Sequence, residues 1–164
     1  MTDSAAGSSA AALLRAAIAK GWRIAAAESC TGGMISAALT DLPGSSQMFE
    51  AGFITYSNAA KMTMLGVRAE TLAAFGAVSE EVATEMALGA QQASGADLAV
   101  AVTGIAGPGG SEFKPEGRVC FAIAQKQGAS WSETIEFGAI GRDAVRLATR
   151  DHALALLLNR VTPG

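Results

Sequence analysis

The fold is decided by one short stretch, AAAESCTGG at residues 25–33. An apolar run ends there abruptly in small polar residues and two glycines, and residues 34–39 follow with the composition of a helix. The pattern predicts a strand, a tight turn and a helix N-terminus. Such a turn directs backbone N–H groups into one small space, which can hold a phosphate or the oxyanion of an acyl-transfer reaction. The simpler alternative is a helix capped by Ser29 or Thr31, with glycines that only make the turn.

Helical and strand-like segments alternate along the rest of the chain. Near-continuous apolar strands are typical of a parallel sheet that is buried on both faces. The last two strands are joined by a short connection, which makes them antiparallel neighbours. We therefore predict an α/β fold, a three-layer α/β/α sandwich with a mixed, mostly parallel five-stranded sheet. The predicted helices are 9–20, 31–40, 59–65, 69–75, 79–94 and 141–161, and the strands are 22–28, 48–56, 97–103, 118–125 and 131–137.

Composition excludes several classes of protein. Of 164 residues, 50% are hydrophobic and only 16% are charged, which excludes a disordered chain and indicates one domain. We expect a flexible N-terminus at 1–8 and a single domain at 9–164. The net charge is −3 and no basic stripe occurs, so nucleic acid is not an expected partner. With neither a membrane-spanning apolar stretch nor a signal peptide in the sequence, we expect no membrane partner and a cytoplasmic protein. The sequence leaves open whether the chain forms a homo-oligomer.

The supply of metal ligands is poor. The two cysteines, Cys30 and Cys120, lie far apart in sequence, and His152 is the single histidine. These residues make neither a disulfide framework nor a convincing nitrogen or thiolate ligand set. We therefore expect neither a metal nor a cofactor.

Ser29 is the first candidate nucleophile, and a hydroxyl needs a base to attack at neutral pH. Lys61 falls in the first turn of the helix that follows the second strand. The partial positive charge of a helix N-terminus and partial burial both disfavour an ammonium, so Lys61 is a candidate base. Tyr56 ends the same strand and could relay a proton or orient the lysine. The alternatives are a solvated lysine and a tyrosine whose hydroxyl lies in water.

Two other residues compete with this pair. Cys30 lies at a helix N-terminus, where a thiol attacks well, although a small buried residue is the commoner case. His152 lies in the terminal helix beside charged residues, where a surface histidine is more common than a member of a Ser-His-Asp triad.

A second glycine-rich loop, residues 104–110, follows the third strand, which ends at Thr103 and Gly104. If the first and third strands are neighbours, both loops line one crevice at the carboxyl edge of the sheet. The loop is neither a dinucleotide-binding fingerprint nor a P-loop. Arg142 or Arg146, at the start of the last helix, could meet a phosphate there, although solvated surface charges are the simpler interpretation.

Six motifs, in order along the chain, resemble the CinA C-terminal domain family of nicotinamide-nucleotide amidohydrolases. The match extends from about residue 9 to 160, and it resembles the stand-alone members without the amino-terminal domain of longer CinA proteins. The motifs are AESCTGG at 27–33, PGSS at 43–46, YSNxxK at 56–61, GAVS at 76–79, GIAGP at 104–108 and KPxG at 114–117.

The resemblance implies hydrolysis of the carboxamide of nicotinamide mononucleotide, a small-molecule nucleotide substrate, by a Ser/Lys mechanism in pyridine nucleotide recycling. It implies Ser29 as nucleophile, Lys61 as base and Tyr56 beside them, with no catalytic metal. For the substrate-binding groups we predict Thr31, Gly32 and Gly33, whose N–H groups would receive the oxyanion, together with Thr103, Gly104, Gly107 and Arg142.

The alternative function is a non-catalytic nucleotide-binding module linked to competence or the DNA damage response. The two functions differ in their demand on geometry. The hydrolase requires the Ser29 hydroxyl and the Lys61 nitrogen to meet within roughly 2.6–3.2 Å, with Lys61 mostly buried.

Overall fold

The computed structural model describes residues 4–111 and 113–162. Its elements alternate as the sequence predicts, with one additional 3₁₀ turn at Ser45–Gln47. In chain order they are α1 (Ser4–Lys20), β1 (Ile24–Glu28), α2 (Met34–Thr40), β2 (Phe49–Ile54), α3 (Asn58–Leu65), α4 (Ala69–Phe75), α5 (Glu80–Ser94), β3 (Leu98–Gly104), β4 (Arg118–Gln125), β5 (Ser130–Glu136) and α6 (Arg142–Val161).

The five strands form one mixed sheet in the order β2-β1-β3-β4-β5. Strand β1 is parallel to both β2 and β3, whereas β4 is antiparallel to β3 and to β5. Glu28 pairs with Ile54, and Ala27 pairs with Ala101. The carboxyl ends of β1, β2 and β3 therefore meet at one edge of the sheet, as predicted.

Helices cover both faces of the sheet, which confirms the three-layer architecture. One face packs bulky side chains, such as Ile24, Val100 and Phe121, against α1, α2 and α6. The other face carries mostly alanines and packs against α3, α4 and α5. On this alanine-rich side a Cβ built on Gly89 would lie 1.9 Å from the Leu65 carbonyl oxygen, so a glycine lets α5 approach the end of α3.

Several predicted boundaries move. Strand β1 begins at Ile24 rather than at residue 22, and β2 ends at Ile54, so Tyr56 lies beyond the strand that it was predicted to end. Helix α1 begins at Ser4 rather than at residue 9, because alanines continue its buried face backwards through Ala10 and Ala6. Residues 4–8 of the segment predicted to be flexible are therefore helical, and residues 1–3 lie outside the described residues. Helix α2 begins at Met34 rather than at residue 31, since Gly32 and Gly33 adopt φ of 57° and 110°. Within the described ranges, no helix has the length and hydrophobicity needed to cross a membrane.

Candidate active site

The turn after β1 places Ser29 at the carboxyl edge of the sheet. The Gly32 amide donates to the Ser29 carbonyl oxygen at 3.1 Å and closes the turn. Left-handed backbone at Gly32 and Gly33 then directs the chain into α2, which is the conformation that glycine adopts without a Cβ clash. Ser29 is buried among the lining residues of a crevice.

A buried carboxylate, Glu28, holds the start of α2. Its Oε1 accepts hydrogen bonds from the Thr31 hydroxyl at 2.6 Å and from the amides of Gly33 and Ile35 at 3.0 and 3.1 Å. Its Oε2 accepts from the Ser36 amide and hydroxyl at 2.8 and 2.7 Å. A negative charge is favoured at a helix N-terminus, where the first amides have no partner within the helix.

This carboxylate changes the predicted use of the turn amides. The Gly33 amide donates to Glu28, and the Gly32 amide donates to the Ser29 carbonyl. Thr31 is fully buried. In this conformation the amides of Gly32 and Gly33 are engaged within the turn, and their position does not support the predicted contact with an oxyanion. Glu28 was not among the predicted site residues, although an acidic residue that ends an apolar strand four positions before Gly-Gly is a usable signal for it.

Lys61 meets Ser29 across the crevice. Its side chain is 1% exposed, and Nζ lies 2.9 Å from the Ser29 hydroxyl oxygen, which confirms the predicted distance and burial. Nζ also donates to the carbonyl oxygens of Thr55 at 2.8 Å and Tyr56 at 3.3 Å. Helix α3 presents the lysine from its first turn, and its cap is Ser57, whose hydroxyl accepts from the Ala60 amide at 3.0 Å.

These contacts suit proton transfer. A carbonyl oxygen can only accept hydrogen bonds, whereas a serine hydroxyl can donate or accept. With two N–H bonds directed at the carbonyls of Thr55 and Tyr56, a neutral amine keeps its lone pair for the Ser29 hydroxyl. An ammonium can donate to the same three oxygens. The lysine nitrogen can therefore exchange a proton with Ser29 without leaving its position.

Tyr56 contributes to the site through two different groups. Its carbonyl contacts Lys61, while its phenol oxygen accepts from Arg142 Nη2 at 3.1 Å and its side chain is largely exposed. Arg142 Nη1 donates to the Gly107 carbonyl at 2.7 Å. The contact that orients the lysine is thus made by the tyrosine backbone, and the tyrosine side chain joins Arg142 in spanning the crevice.

The second predicted loop forms the opposite wall. The buried Thr103 hydroxyl donates to the Ala77 carbonyl at 2.9 Å and joins β3 to the loop before α5. A Cβ on Gly104 would lie 2.7 Å from Val119 Cγ2 and 3.2 Å from Cys30 Sγ. Only glycine therefore fits between β4 and the turn that carries Ser29.

A crevice of about 180 Å³ lies between these groups. An adjoining cavity of about 290 Å³ extends along the glycine-rich loop and shares five of the same lining residues. Cavities of a few hundred Å³ with convergent polar groups take small-molecule ligands. The shared residues are Ala77, Val78, Gly104, Ala106 and Arg142.

The competing nucleophiles and bases are placed differently. Cys30 is buried, and burial raises the pKa of its thiol to about 11, which keeps it neutral and unreactive near pH 7. His152 pairs with Glu133 of β5 and packs edge-on against Phe121. Within residues 4–111 and 113–162, His, Cys, Asp and Glu side chains form no group of three or more that could hold a metal ion.

Comparison with known proteins identifies similar chains. A family model described as the CinA C-terminal domain matches residues 7–161. Nicotinamide-nucleotide amidohydrolase PncC of Enterobacter agglomerans is 56% identical over 130 residues, covering 79% of each chain. PncC of Escherichia coli (strain K12) is 53% identical over 140 residues, covering 85% of this chain and 84% of its own.

Longer relatives and solved structures agree with this match. A putative competence-damage inducible protein of Symbiobacterium thermophilum is 52% identical over 147 residues, which cover 84% of this chain and 34% of that relative. The crystal structure of the competence/damage inducible protein CihA from Agrobacterium tumefaciens superposes with a TM-score of 0.93 at 46% identity. The superposition covers 97% of this chain and 98% of that one.

Proposed function

The chain belongs to the CinA C-terminal domain family, and we propose that it is an amidohydrolase that cleaves the carboxamide of nicotinamide mononucleotide to nicotinic acid mononucleotide and ammonia. The observation that carries this proposal is the buried contact of 2.9 Å between Lys61 Nζ and Ser29 Oγ. Relatives that are 53–56% identical over most of the chain and carry the name nicotinamide-nucleotide amidohydrolase support the choice of substrate.

Acylation would begin with the neutral amine of Lys61. The amine takes the Ser29 proton as Oγ attacks the carboxamide carbon, forming a C–O bond and a tetrahedral oxyanion. As the C–N bond breaks, the Lys61 ammonium gives its proton to the departing nitrogen, which leaves as ammonia. Burial at 1% exposure favours the neutral amine that the first step needs. A positioned general base of this kind contributes about 10²- to 10⁴-fold in rate.

The acyl-enzyme ester would then be hydrolysed by water at the same position. Lys61 takes a proton from the water as its oxygen attacks the ester carbon, and it returns the proton to Ser29 Oγ as the ester bond breaks. The two half-reactions leave lysine and serine in their starting states. Every proton transfer uses the same nitrogen, so the residues of this chain and one water suffice.

The oxyanion is assigned to the amide of Cys30, the residue after the nucleophile. Cys30 and Thr31 occupy the two central positions of the turn that the Gly32 amide and the Ser29 carbonyl close, and the amides at central positions take no part in closing such a turn. Thr31, which was predicted for this role, is fully buried, so of the two amides we choose that of Cys30. Cys30 also lines the crevice beside Ser29. The loss of one such donor typically costs about 10²- to 10³-fold in kcat.

The ribose phosphate is assigned to the cavity along the glycine-rich loop. Arg142 lines both cavities, so its guanidinium is placed to meet an anionic group while the carboxamide lies at Ser29. Gly104 and Gly107 line this cavity with backbone atoms, since the Cβ position of each is directed at protein, at Val119 and Glu116 respectively. Thr103 supports the site indirectly, because its hydroxyl donates to the Ala77 carbonyl oxygen and holds that part of the crevice wall.

Ammonia release from nicotinamide mononucleotide by the purified protein tests the proposal. We expect stoichiometric ammonia and nicotinic acid mononucleotide, and loss of both in Ser29→Ala. Calorimetric binding of the mononucleotide with no ammonia released would instead support a nucleotide-binding module, the alternative suggested by the competence-damage names of longer relatives.

A further inference from the structure

Arg146 lies one turn along α6 from Arg142 and contacts the turn that carries Ser29. Its Nε donates to the Cys30 carbonyl oxygen at 3.0 Å, and its Nη2 donates to the Thr31 carbonyl oxygen at 3.3 Å. A Cβ on Gly32 would lie 3.4 Å from the same Nη2, so the guanidinium packs directly against the turn. Arg146 is half-buried, and its partners are backbone groups.

We propose that Arg146 is a positioning residue for the hydrolase, a guanidinium that fixes the backbone after Ser29 so that Oγ and the Cys30 amide keep their places at the crevice. This inference rests on the proposed function. Arg146 acts through the turn and does not touch the substrate.

The reason lies in the peptide units of the turn. Each unit is planar, so fixing a carbonyl oxygen also fixes the N–H on the opposite side of the same unit. The Ser29 carbonyl is held by the Gly32 amide, the Cys30 carbonyl by Arg146, and the Thr31 carbonyl by Arg146 together with the Met34 amide at 3.1 Å. Three consecutive units are therefore held, including the first, which bears the Cys30 N–H.

A guanidinium is suited to this role. It is planar and always charged, and its donors lie in a rigid fork, so one side chain can hold two neighbouring carbonyls with little loss of freedom. Glu28 holds the other end of the turn through the Gly33 amide and the Thr31 hydroxyl. The turn is thus held from both ends by buried or half-buried charges, and Arg146 is the one that comes from a distant part of the chain.

Arg146 also links the two ends of the site. Residues four apart lie on the same face of a helix. Arg142 contacts the glycine-rich loop and Tyr56 from the first turn of α6, and Arg146 contacts the nucleophile turn from the next. The same helix therefore sets the distance between the cavity assigned to the phosphate and the serine that attacks the amide.

The test compares Arg146→Met and Arg146→Lys with Arg150→Met as a matched control. Arg150 lies one further turn along α6 and pairs with Asp151 at 2.9 Å, away from the turn. In ammonia-release kinetics we expect Arg146→Met to lower kcat by about 10- to 100-fold with KM changed by less than about 2-fold, because a displacement of about 1 Å can cost 10²-fold. Arg146→Lys should recover part of the loss, and Arg150→Met should keep the wild-type kcat.

Rescue distinguishes positioning from a general loss of stability. Added guanidinium ion at millimolar concentration should restore part of the kcat of Arg146→Ala and leave Arg150→Met unchanged. An Arg146→Met enzyme with wild-type kcat would overturn the inference. So would an equal loss in Arg150→Met, or a rise in KM with kcat unchanged.

Labelling of Ser29 by a fluorophosphonate provides a readout that does not depend on the substrate. If the wild-type protein releases no ammonia from nicotinamide mononucleotide, the proposed function fails, yet the labelling rate still tests Arg146. We expect slower labelling in Arg146→Met and partial recovery in Arg146→Lys. Equal labelling rates in the wild type and Arg146→Met would refute the positioning role alone.

Discussion

Replacing Lys61 with methionine removes the nitrogen and keeps most of the volume of the side chain. The proposed base is then lost in both half-reactions, and we expect kcat to fall by about 10²- to 10⁴-fold. The fall belongs at the upper end of that range, because Nζ at 2.9 Å from Ser29 Oγ both takes and returns every proton in the proposed cycle. KM should change little, since the lysine lies behind the serine and is 1% exposed.

The same substitution should change stability only modestly. The buried carbonyl oxygen of Thr55 and the part-buried one of Tyr56 lose the Lys61 donor, and an unsatisfied buried group costs about 1–3 kcal/mol. Removing an ionisable amine from a buried position offsets part of that cost. We therefore expect the free energy of unfolding in urea to fall by no more than about 2–3 kcal/mol, so the loss of activity cannot come from unfolding.

Ammonia release by Lys61→Met, Ser29→Ala and the double variant is the assay. Residues that act as one unit are not additive, so the double variant should be no slower than the slower single variant. Lys126→Met, in the turn between β4 and β5, is the control for the loss of a lysine charge and should match the wild type. Losses that multiply in the double variant, or a Lys61→Met kcat within about 3-fold of wild type, would refute the dyad.

Four further outcomes test other parts of the site. Glu28→Gln places an amide N–H₂ among the donors of α2 and should lower the free energy of unfolding in urea by about 2–4 kcal/mol. Its control is Glu50→Gln, at an exposed pair with Arg23, which should lower that free energy by less than about 1 kcal/mol. Cys30→Ala should keep most of the ammonia release. Burial raises the pKa of the Cys30 thiol to about 11, so between about pH 9 and 11 the thiol ionises only in the unfolded chain. The wild-type free energy of unfolding, measured in urea, should therefore fall by roughly 2–3 kcal/mol more across this range than that of Cys30→Ala. EDTA should leave activity unchanged, and activity that EDTA abolished and a divalent cation restored would contradict the metal-free mechanism.

The alternation of strands and helices could be predicted because each signal is local. The limits of α3 and α4 agree with the structure, since a serine cap at residue 57 and glycines at 66 and 76 mark their ends in the sequence itself. The start of α2 could not be fixed in the same way. Gly32 and Gly33 are compatible with a cap or with a turn, and the choice is made by Glu28, whose side-chain direction an apolar strand does not reveal.

The meeting of Ser29 and Lys61 could be predicted for a related reason. Each residue follows the end of a strand, and parallel neighbouring strands end at the same edge of a sheet, so two local patterns and one topological expectation bring them together. The contacts of Arg146 could not be predicted from local patterns and strand topology. They depend on how α6 packs across the sheet against a turn 115 positions earlier, and helical periodicity gives no such register.

The break between β2 and α3 explains how a lysine can be buried beside the serine. Strand β2 ends at Ile54 and α3 begins at Asn58, so the carbonyls of Thr55 and Tyr56 lie beyond the strand and before the helix. Lys61 takes both as acceptors. A carbonyl oxygen only accepts hydrogen bonds, so each of these oxygens can receive an N–H of the lysine whether its nitrogen is an amine or an ammonium. Both contacts can therefore persist through the proposed cycle, and they keep the lysine nitrogen beside the Ser29 hydroxyl while the proton moves between them.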